Sequence, residues 1–260
     1  MRRPSLLFAL LLIGLDAAAA GRAAGLKPGD TATVARVVDG DTLVLADGRE
    51  VRLFGILAPK PPLGRPDSEP WPLADAAKAA LAELAQGRSV SLAFGARRID
   101  RHGRTLAHLH DASGRWIQGE MLARGLARVW SLPDNRDLVA EMLALERRAR
   151  EARLGLWADP FYRIRAPAEA ARAIDTFQLV EGRITASAIV RGRGYLNFGP
   201  DWRTDFTLSL DPPSVRLFEA EGVSLDALEG RRVRIRGWIK SFNGPLIEVT
   251  HPEQIEVLPE

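Results

Sequence analysis

The fold is decided by residues 31–56, which read TATVARVVDGDTLVLADGREVRLFGI. Runs rich in Val, Thr and Leu are separated there by two short acidic turns, at residues 39–41 and 47–48. Asp-Gly pairs between such runs are typical of tight β-hairpins. The stretch therefore predicts three strands joined as a meander that suits a small barrel, at residues 31–38, 42–45 and 50–56.

Helix and strand signals alternate after this meander. Six prolines from Pro59 to Pro72 predict a surface loop, because proline fits neither the interior of a helix nor that of a sheet. Apolar residues then recur at helical spacing from Trp71 to Gln86, and a glycine follows where a helix would end. The same rules predict strands at residues 89–94 and 105–110 and helices at residues 117–129 and 135–153.

The last part of the chain has its own strand pattern. Two prolines and a stretch rich in Ala, Arg and Glu at residues 159–176 predict a linker. Five strands with one helix before the fourth strand indicate a second small barrel that looks like an OB-fold module. We predict its strands at residues 177–190, 195–198, 205–210, 232–239 and 246–249, and its helix at residues 224–228.

The N-terminus has the features of a secretory signal peptide at residues 1–20. A basic start precedes an apolar stretch from Leu6 to Leu15, and small residues follow up to Gly21. This apolar stretch is about half the ~20 residues that a membrane-spanning helix needs, so we expect no stable membrane anchor. The protein is predicted to be exported, periplasmic or secreted, with one domain at residues 31–158 and an OB-like domain at residues 177–258.

The composition restricts the kinds of site that the protein can form. The 260 residues include no cysteine, which excludes disulfides and thiolate metal ligands. An apolar fraction of 46% with 27% charged residues is ordinary for a globular protein. The sequence pI is about 9.7 although the net charge is only +3, so a basic surface that attracts nucleic acid must be found locally.

Five short motifs occur in order along the first predicted domain. They read VDGDT at residues 38–42, VRLFGILAPK at 51–60, DRHGRTLA at 100–107, GLARV at 125–129 and LGLW at 154–157. In order, spacing and surrounding elements they resemble the staphylococcal nuclease (thermonuclease) family over residues 31–158. The resemblance implies a mainly β fold, namely a five-stranded OB-type barrel with three helices, and calcium-dependent cleavage of DNA and RNA.

The resemblance also implies roles for single residues. Arg52 and Arg104 match the two phosphate-contacting arginines of the family, and guanidinium groups suit that role because they donate paired hydrogen bonds to phosphate oxygens. Asp41 matches a calcium-binding aspartate, and Asp39 lies beside it in the same turn. Without the motifs, these arginines would be ordinary solvated side chains, and the Asp-Gly-Asp turn would be plain hairpin chemistry.

Two positions depart from the family pattern. Its second calcium-binding aspartate falls on Leu57, and its general-base glutamate falls on Lys60. Leucine offers no side-chain oxygen to Ca²⁺, which binds about six to eight oxygens, and an ammonium cannot accept the proton that a base must take. We therefore predict an incomplete metal site at which Ca²⁺ binding is weak or lost. Asp67 or Glu69 in the proline-rich loop is the alternative source of a carboxylate.

Three functions remain open from the sequence. The first is a catalytically degenerate protein that binds nucleic acid or another polyanion through Arg52, Lys60, Arg101 and Arg104. The second is a working calcium-dependent nuclease that recruits a replacement carboxylate, and the third is a structural or interaction protein of the envelope. Salt-dependent binding without turnover favours the first, and calcium-dependent release of nucleotides favours the second.

Two further patterns lie in the second predicted barrel. Arginines alternate with apolar residues at residues 232–236, which predicts a half-buried strand with one wet face. Residues 191–203 mix arginines with Tyr195 and Trp202 across a predicted hairpin. Such a mixture either stacks bases and follows a phosphate backbone or fills the core, and the sequence leaves both open.

Overall fold

The computed structural model describes residues 25–61 and 70–259. The predicted signal peptide at residues 1–20 and the two loop carboxylates, Asp67 and Glu69, lie outside these ranges. Within them, no helix is both long and apolar enough to cross a membrane. The described residues form two sheet-rich parts in sequence, each with its own buried core.

The first part is a closed five-stranded barrel with three α-helices. Its elements are β1 (Lys27–Asp39), β2 (Thr42–Leu45), β3 (Glu50–Leu53), β4 (Ile56–Leu57), α1 (Ala74–Ala85), β5 (Ser89–Phe94), β6 (Thr105–Asp111), α2 (Ile117–Ala123), β7 (Arg128–Val129) and α3 (Val139–Glu151). The barrel order is β1-β2-β3-β6-β5, in which β3 and β6 run parallel and the other neighbours antiparallel. This confirms the predicted five-stranded OB-type barrel.

Side chains that alternate along the strands decide which groups face the core. Val51 and Leu53 of β3 are fully buried and join Leu43 and Leu45 of β2 in the core. Arg52, between two core residues, therefore points to the outer face of the sheet. The outer face of β2 and β3 is thus a place where charged groups of this barrel can gather.

Two predicted elements are shorter than the sequence suggests. The third strand is interrupted at Gly55, whose backbone is left-handed with a φ of +83°. The helix predicted at residues 117–129 ends at Ala123, because Gly125 is also left-handed and the residues after it pair with β4. Both breaks leave short segments, β4 and β7, that pair with each other beside the barrel.

The second part is built from seven strands and an α-helix. Its elements are β8 (Phe177–Arg183), β9 (Ala186–Val190), β10 (Arg193–Asn197), β11 (Thr207–Leu210), α4 (Pro212–Ala220), β12 (Arg232–Ser241), β13 (Pro245–Glu248) and β14 (Ile255–Val257). Pairings run from β9 through β10, β11, β13 and β12 to β8. Because only two residues separate β8 from β9, these pairings form a circuit.

This circuit repeats the path of the first barrel. When β8 and β9 are taken as one bent strand, the order of neighbours is the same and the helix again follows the third strand. The third and fifth strands, β11 and β13, again run parallel. The second part is therefore an OB-like barrel, as its strand pattern predicts. The outer face of β10 and β11 corresponds to that of β2 and β3.

The α-helix of the second barrel is not where the sequence predicts it. Residues 224–228 form only a short 3-10 turn, Asp226–Leu228, and α4 lies earlier in the chain. Prolines occupy the first turn of α4, where the missing N–H of proline costs no hydrogen bond. The Asp211 carboxylate caps the helix by accepting from the Ser214 amide at 2.9 Å. Proline thus marks a helix start here and not a loop.

A buried ion pair joins the two barrels. Arg236 of β12 is 2% exposed, and its guanidinium lies 2.5 Å from the carboxylate of Glu146 on α3, which is fully buried. Glu256 of β14 also pairs with Arg236. The removal of one member of such a pair leaves a buried charge without compensation. The contact therefore holds the second barrel against α3.

Residues 159–176, predicted as a linker, fold against both barrels. They begin with the 3-10 helix Pro160–Tyr162. The guanidinium of Arg128 lies over the rings of Tyr162 and Phe177, at 5.1 and 5.0 Å, and donates to the Phe177 carbonyl at 2.9 Å. Burial lowers the pKa of Arg128 to about 10, and the two rings and the carbonyl stabilise its charge.

The substitution Arg236→Met tests the ion pair between the barrels. It leaves the Glu146 carboxylate buried without its main partner, and we expect the free energy of unfolding to fall by about 3–5 kcal/mol. Arg232→Met is the matched control, since Arg232 lies on the same strand but is 53% exposed in its pair with Glu181. The control should cost less than about 1 kcal/mol. Urea unfolding measures both, and equal losses would contradict the role of the buried pair.

Candidate functional site

The turn between β1 and β2 carries two buried carboxylates, those of Asp39 and Asp41. The Asp41 amide donates to the Asp39 carboxylate at 3.0 Å, which fixes the turn. Gly40 between them has no room for a side chain, since a Cβ there would lie 2.7 Å from the side chains of Ala58 and Ala77. The turn thus holds two negative charges in a tightly packed place.

The Lys60 ammonium lies between these two carboxylates. Its Nζ is 2.8 Å from Asp39 Oδ2 and also pairs with Asp41 Oδ1. The Lys60 side chain is only 15% exposed. One cation of the chain itself therefore bridges both carboxylates.

Arg52 of β3 also pairs with the Asp41 carboxylate. Its guanidinium is 2.7 Å from Asp41 Oδ1, and it donates to the carbonyls of Leu53 at 3.1 Å and Ile56 at 2.8 Å. The guanidinium carbon lies 5.8 Å from the centre of the Trp130 ring. Arg52 is buried, and it uses its hydrogen bonds inside the protein.

The charges of this group balance. We name it the Lys60 cluster; it consists of Asp39, Asp41, Arg52 and Lys60. Burial raises the pKa of the Asp41 carboxyl, against the opposing charges of Arg52 and Lys60. Burial also acts to raise the pKa of Asp39, but the Lys60 ammonium, the Asp41 amide and the Arg52 guanidinium together outweigh burial and hold that pKa below its ordinary value. The Ala58 amide donates to Asp41 at 2.7 Å as well.

A second group of cations lies on the turn between β5 and β6. This arginine segment, residues 97–104, carries Arg97, Arg98, Arg101 and Arg104. Its first and last arginines pair with carboxylates, of Asp134 at 2.5 Å and Asp100 at 2.7 Å. The Arg98 guanidinium lies over the Phe94 ring, and the Arg101 guanidinium donates a hydrogen bond to the His102 ring. Among the described residues, no carboxylate is within ion-pair distance of these two.

The arginine segment and the Lys60 cluster border one small cavity. Arg52, Arg97, Asp100, Arg104 and Trp130 are among the residues that line its volume of about 70 Å³. The structure therefore brings together Arg52 and Arg104, the two residues predicted to contact phosphate. The cavity lies between the buried Lys60 cluster and the exposed turn.

Residues 50–159 match the family described as staphylococcal nuclease homologue. The first barrel is a staphylococcal nuclease-like domain. The match confirms the resemblance of the sequence motifs, and it supports a nuclease-family, nucleic-acid-binding kind of function for this part of the chain. It begins at residue 50, so Asp39 and Asp41 lie before it, and the structure is what brings them beside Arg52. A comparison with curated proteins gives no match.

The Lys60 cluster does not fit the calcium ion on which staphylococcal nuclease homologues generally depend. Asp39 and Asp41 would be its ligands, but the Lys60 ammonium already pairs with both. A divalent ion about 4 Å from an ammonium is repelled by several kcal/mol at an effective dielectric constant near 20. In residues 25–61 and 70–259, no group of three or more His, Asp or Glu side chains is arranged to hold a metal.

Leu57, which the sequence motifs predict to stand where the staphylococcal nuclease family has its second calcium-binding aspartate, packs between the barrels. It is buried in an apolar cluster with Phe177 and Leu179 of β8, and Trp71 and Trp130 pack against the same cluster. A carboxylate in this place would be buried among apolar side chains, which is costly unless it is paired. The leucine therefore serves the contact with the second barrel, a role that the sequence does not predict.

Sequence reasoning missed Arg98 and Trp130. Arg98 adds an exposed cation to the staphylococcal nuclease-like domain, and Trp130 covers the guanidinium of Arg52. A signal existed for Arg98, because a local count of charges finds four arginines within residues 97–104. No comparable signal existed for Trp130, since its role depends on the fold that brings the end of β7 beside Arg52.

The substitution Lys60→Met tests the charge balance of the Lys60 cluster. Because Lys60 keeps the pKa of Asp39 low, their contact contributes stability above the ordinary carboxyl pKa and loses it as the pH falls through the lowered value. Without Lys60, the Asp39 and Asp41 carboxyls titrate at higher pH, so their charged forms destabilise the fold as the pH rises. We expect a loss of about 3 kcal/mol near pH 7 that shrinks toward about pH 4.

Lys240→Met is the matched control for this experiment. Lys240 forms an exposed ion pair with Glu248 on the second barrel, and its loss should cost less than about 1 kcal/mol at either pH. Urea unfolding at the two pH values measures both variants. A loss for Lys60→Met that is the same at both pH values would contradict the coupling between Lys60 and the carboxylates.

Proposed function

We propose that this protein is a catalytically inactive staphylococcal nuclease-like protein that binds nucleic acid, or another polyanion, without cleaving it. The observation that carries the proposal is the position of the Lys60 ammonium, which pairs with both Asp39 and Asp41. Phosphodiester cleavage of the family type needs a base that activates water and a hard cation that neutralises the phosphate. Here a side chain of the protein occupies the carboxylates that would hold that cation.

The proposed loss of catalysis has two causes. Lys60 stands at the general-base position of the family, and the loss of a general base alone typically costs about 10²–10⁴-fold in rate. Leu57 stands at a ligand position and offers only apolar surface to its buried cluster. Both changes act on hydrolysis and neither removes an exposed cation, which favours binding over turnover.

The arginine segment is the proposed contact for the phosphate backbone. Arg98 and Arg101 have no carboxylate within ion-pair distance among the described residues. The donors of Arg52 and Lys60, in contrast, are used within the Lys60 cluster. Exposed cations bind phosphates with release of counterions. We therefore propose that the arginine segment, which includes Arg101 and Arg104, is the main polyanion contact, and that Arg52 and Lys60 are not.

We also propose that the protein acts outside the cytoplasm, in the periplasm or after secretion. The support is the N-terminal sequence, with its basic start, its apolar stretch and the small residues before Gly21. Mass spectrometry of the protein from an envelope or culture fraction should find a mature N-terminus near this glycine. A chain that still begins at Met1 in every fraction would contradict cleavage of a signal peptide.

Calcium should neither start cleavage nor stabilise the wild-type protein. We expect no calcium-dependent release of acid-soluble nucleotides from DNA and no change in Tm. Lys60→Glu is the informative comparison, because it replaces the bridging cation with a third carboxylate. We expect calcium to raise the Tm of this variant, since a ligand that binds only the folded state stabilises it. Calcium-dependent release by the wild-type protein would favour the working nuclease, with a carboxylate such as Asp67 or Glu69.

Binding through the arginine segment should depend on salt. If Arg98 and Arg101 each contact a phosphate, Arg98→Gln and Arg101→Gln each lower the slope of log K against log salt concentration by about 0.9 on duplex DNA. Arg148→Gln is the control, because it removes the same charge from an exposed position of α3. Fluorescence anisotropy with a labelled duplex measures the slopes. Negligible binding of nucleic acid even at low salt would favour the structural role in the envelope.

A further inference from the structure

A groove lies on the second barrel, on the outer face of β10 and β11. Tyr195 and Asn197 of β10 stand opposite Ser209 and Thr207 of β11, so all four side chains point to the same side. The residues between them on both strands are buried in the core of the barrel. These four side chains therefore form the floor of an open face that the proposed function does not use.

Two exposed aromatic side chains lie at the edges of this floor. Trp202, in the loop between β10 and β11, is 50% exposed, and Phe242, in the hairpin between β12 and β13, is 67% exposed. Both line a cavity of about 420 Å³ whose other walls include Tyr195, Asn197, Thr207 and Leu246. Large apolar side chains gathered in one exposed patch mark interaction sites more often than single ones do.

The hairpin that carries Phe242 has a fixed shape. Ser241 pairs with Pro245 across a three-residue loop, in which Asn243 and Gly244 have left-handed backbones with φ values of +49° and +90°. A Cβ on Gly244 would lie 2.7 Å from the carbonyl oxygen of Thr204, which belongs to the loop that carries Trp202. The backbones of the two loops therefore touch, which places Trp202 and Phe242 on neighbouring loops.

The groove continues into a second cavity of about 450 Å³ that contains charged side chains. This cavity shares Tyr195 and Phe242 with the first and adds Arg193, Lys240 and Glu248. Lys240 pairs with Glu248. Arg193 donates to the hydroxyl of Ser209 at 3.3 Å. Its guanidinium is also near enough to Asp211 for its positive charge to help lower the pKa of that carboxyl. The groove thus has an apolar end and an end that contains cations.

A further cation lies at the apolar end. The guanidinium carbon of Arg203 is 4.3 Å from the centre of the Trp202 ring. Asp201 and Asp205 of the same loop accept hydrogen bonds from backbone amides of that loop. The carboxylates therefore fix the shape of the loop, while the guanidinium lies over the exposed ring.

We propose that this groove binds single-stranded nucleic acid, with bases stacked on Trp202 and Phe242 and phosphates beside Arg193 and Arg203. Flat rings next to cations match the bases and phosphates that alternate along a single strand. A duplex does not fit, because its bases are already stacked on each other. The outer face of the second and third strands is a surface on which OB folds bind oligonucleotides or oligosaccharides. The two arginines, which a neutral glycan would not need, favour the nucleic acid.

The test measures the affinity for a labelled oligothymidylate of about 12 nucleotides, within the range of site sizes of OB folds. The loss of one stacked base weakens Kd by about 5- to 150-fold, and we expect a loss in this range for Phe242→Leu and for Trp202→Leu. Phe161→Leu is the matched control, since Phe161 is also an exposed phenylalanine but lies outside the groove. It should leave Kd unchanged.

A second pair of variants tests the cations. Arg193→Gln should lower the slope of log K against log salt concentration by about 0.7, the value for one phosphate contact on a single strand. Arg216→Gln is the control, because Arg216 is exposed on α4 and does not line either cavity. The control should keep the wild-type slope, and thermal unfolding of each variant shows that the barrel is intact.

The outcomes separate this site from the arginine segment. Equal affinity in the wild type and the two aromatic variants would overturn the groove as a nucleic-acid site. So would oligothymidylate binding that is lost only in Arg98→Gln and Arg101→Gln, a result that keeps the proposed function. A neutral chito-oligosaccharide that displaces oligothymidylate and binds as tightly would indicate a glycan site. Binding through the groove without any contribution from the arginine segment would keep this inference and contradict the arginine segment as the proposed contact for the phosphate backbone.

Discussion

The position of the Lys60 ammonium between Asp39 and Asp41 is the contact on which the first barrel depends. Two carboxylates buried this deeply are unfavourable unless a cation accompanies them. A metal site takes that cation from solution, whereas here the cation is part of the chain and is always present. Lys60 therefore contributes to the low pKa of Asp39 and accounts for the poor fit for calcium.

Leu57 connects this local change to the architecture of the whole chain. Leu57 packs against Phe177 and Leu179 of the second barrel, at the position that the sequence motifs predict for a calcium ligand. The pair of Glu146 and Arg236 fixes the same two barrels by charge at another point of their contact. With the second barrel in this place, a carboxylate at position 57 would disturb a buried apolar contact before it could rebuild a metal site.

Local patterns predict most of the strands, because alternation and turn residues act over a few positions. The strands at residues 42–45 and 89–94 have the predicted bounds, and the family motifs predict that Arg52 and Arg104 share one site. Local patterns do not predict which residue pairs with each buried charge. Lys60 is 21 residues from Asp39, and Arg236 is 90 residues from Glu146. No periodicity reports such contacts, since only the folded chain brings these residues together.

The outer face of the second and third strands differs between the two barrels. In the first barrel, the face of the second and third strands holds Arg52 in a neutral, buried cluster that offers a ligand no unpaired charge. In the second barrel, the same face is open between Trp202 and Phe242, and it keeps apolar rings in water. A ligand that covers those rings gains the free energy of their burial, whereas a ligand at the Lys60 cluster must first break ion pairs. The open face of the second barrel is therefore the easier of the two to occupy.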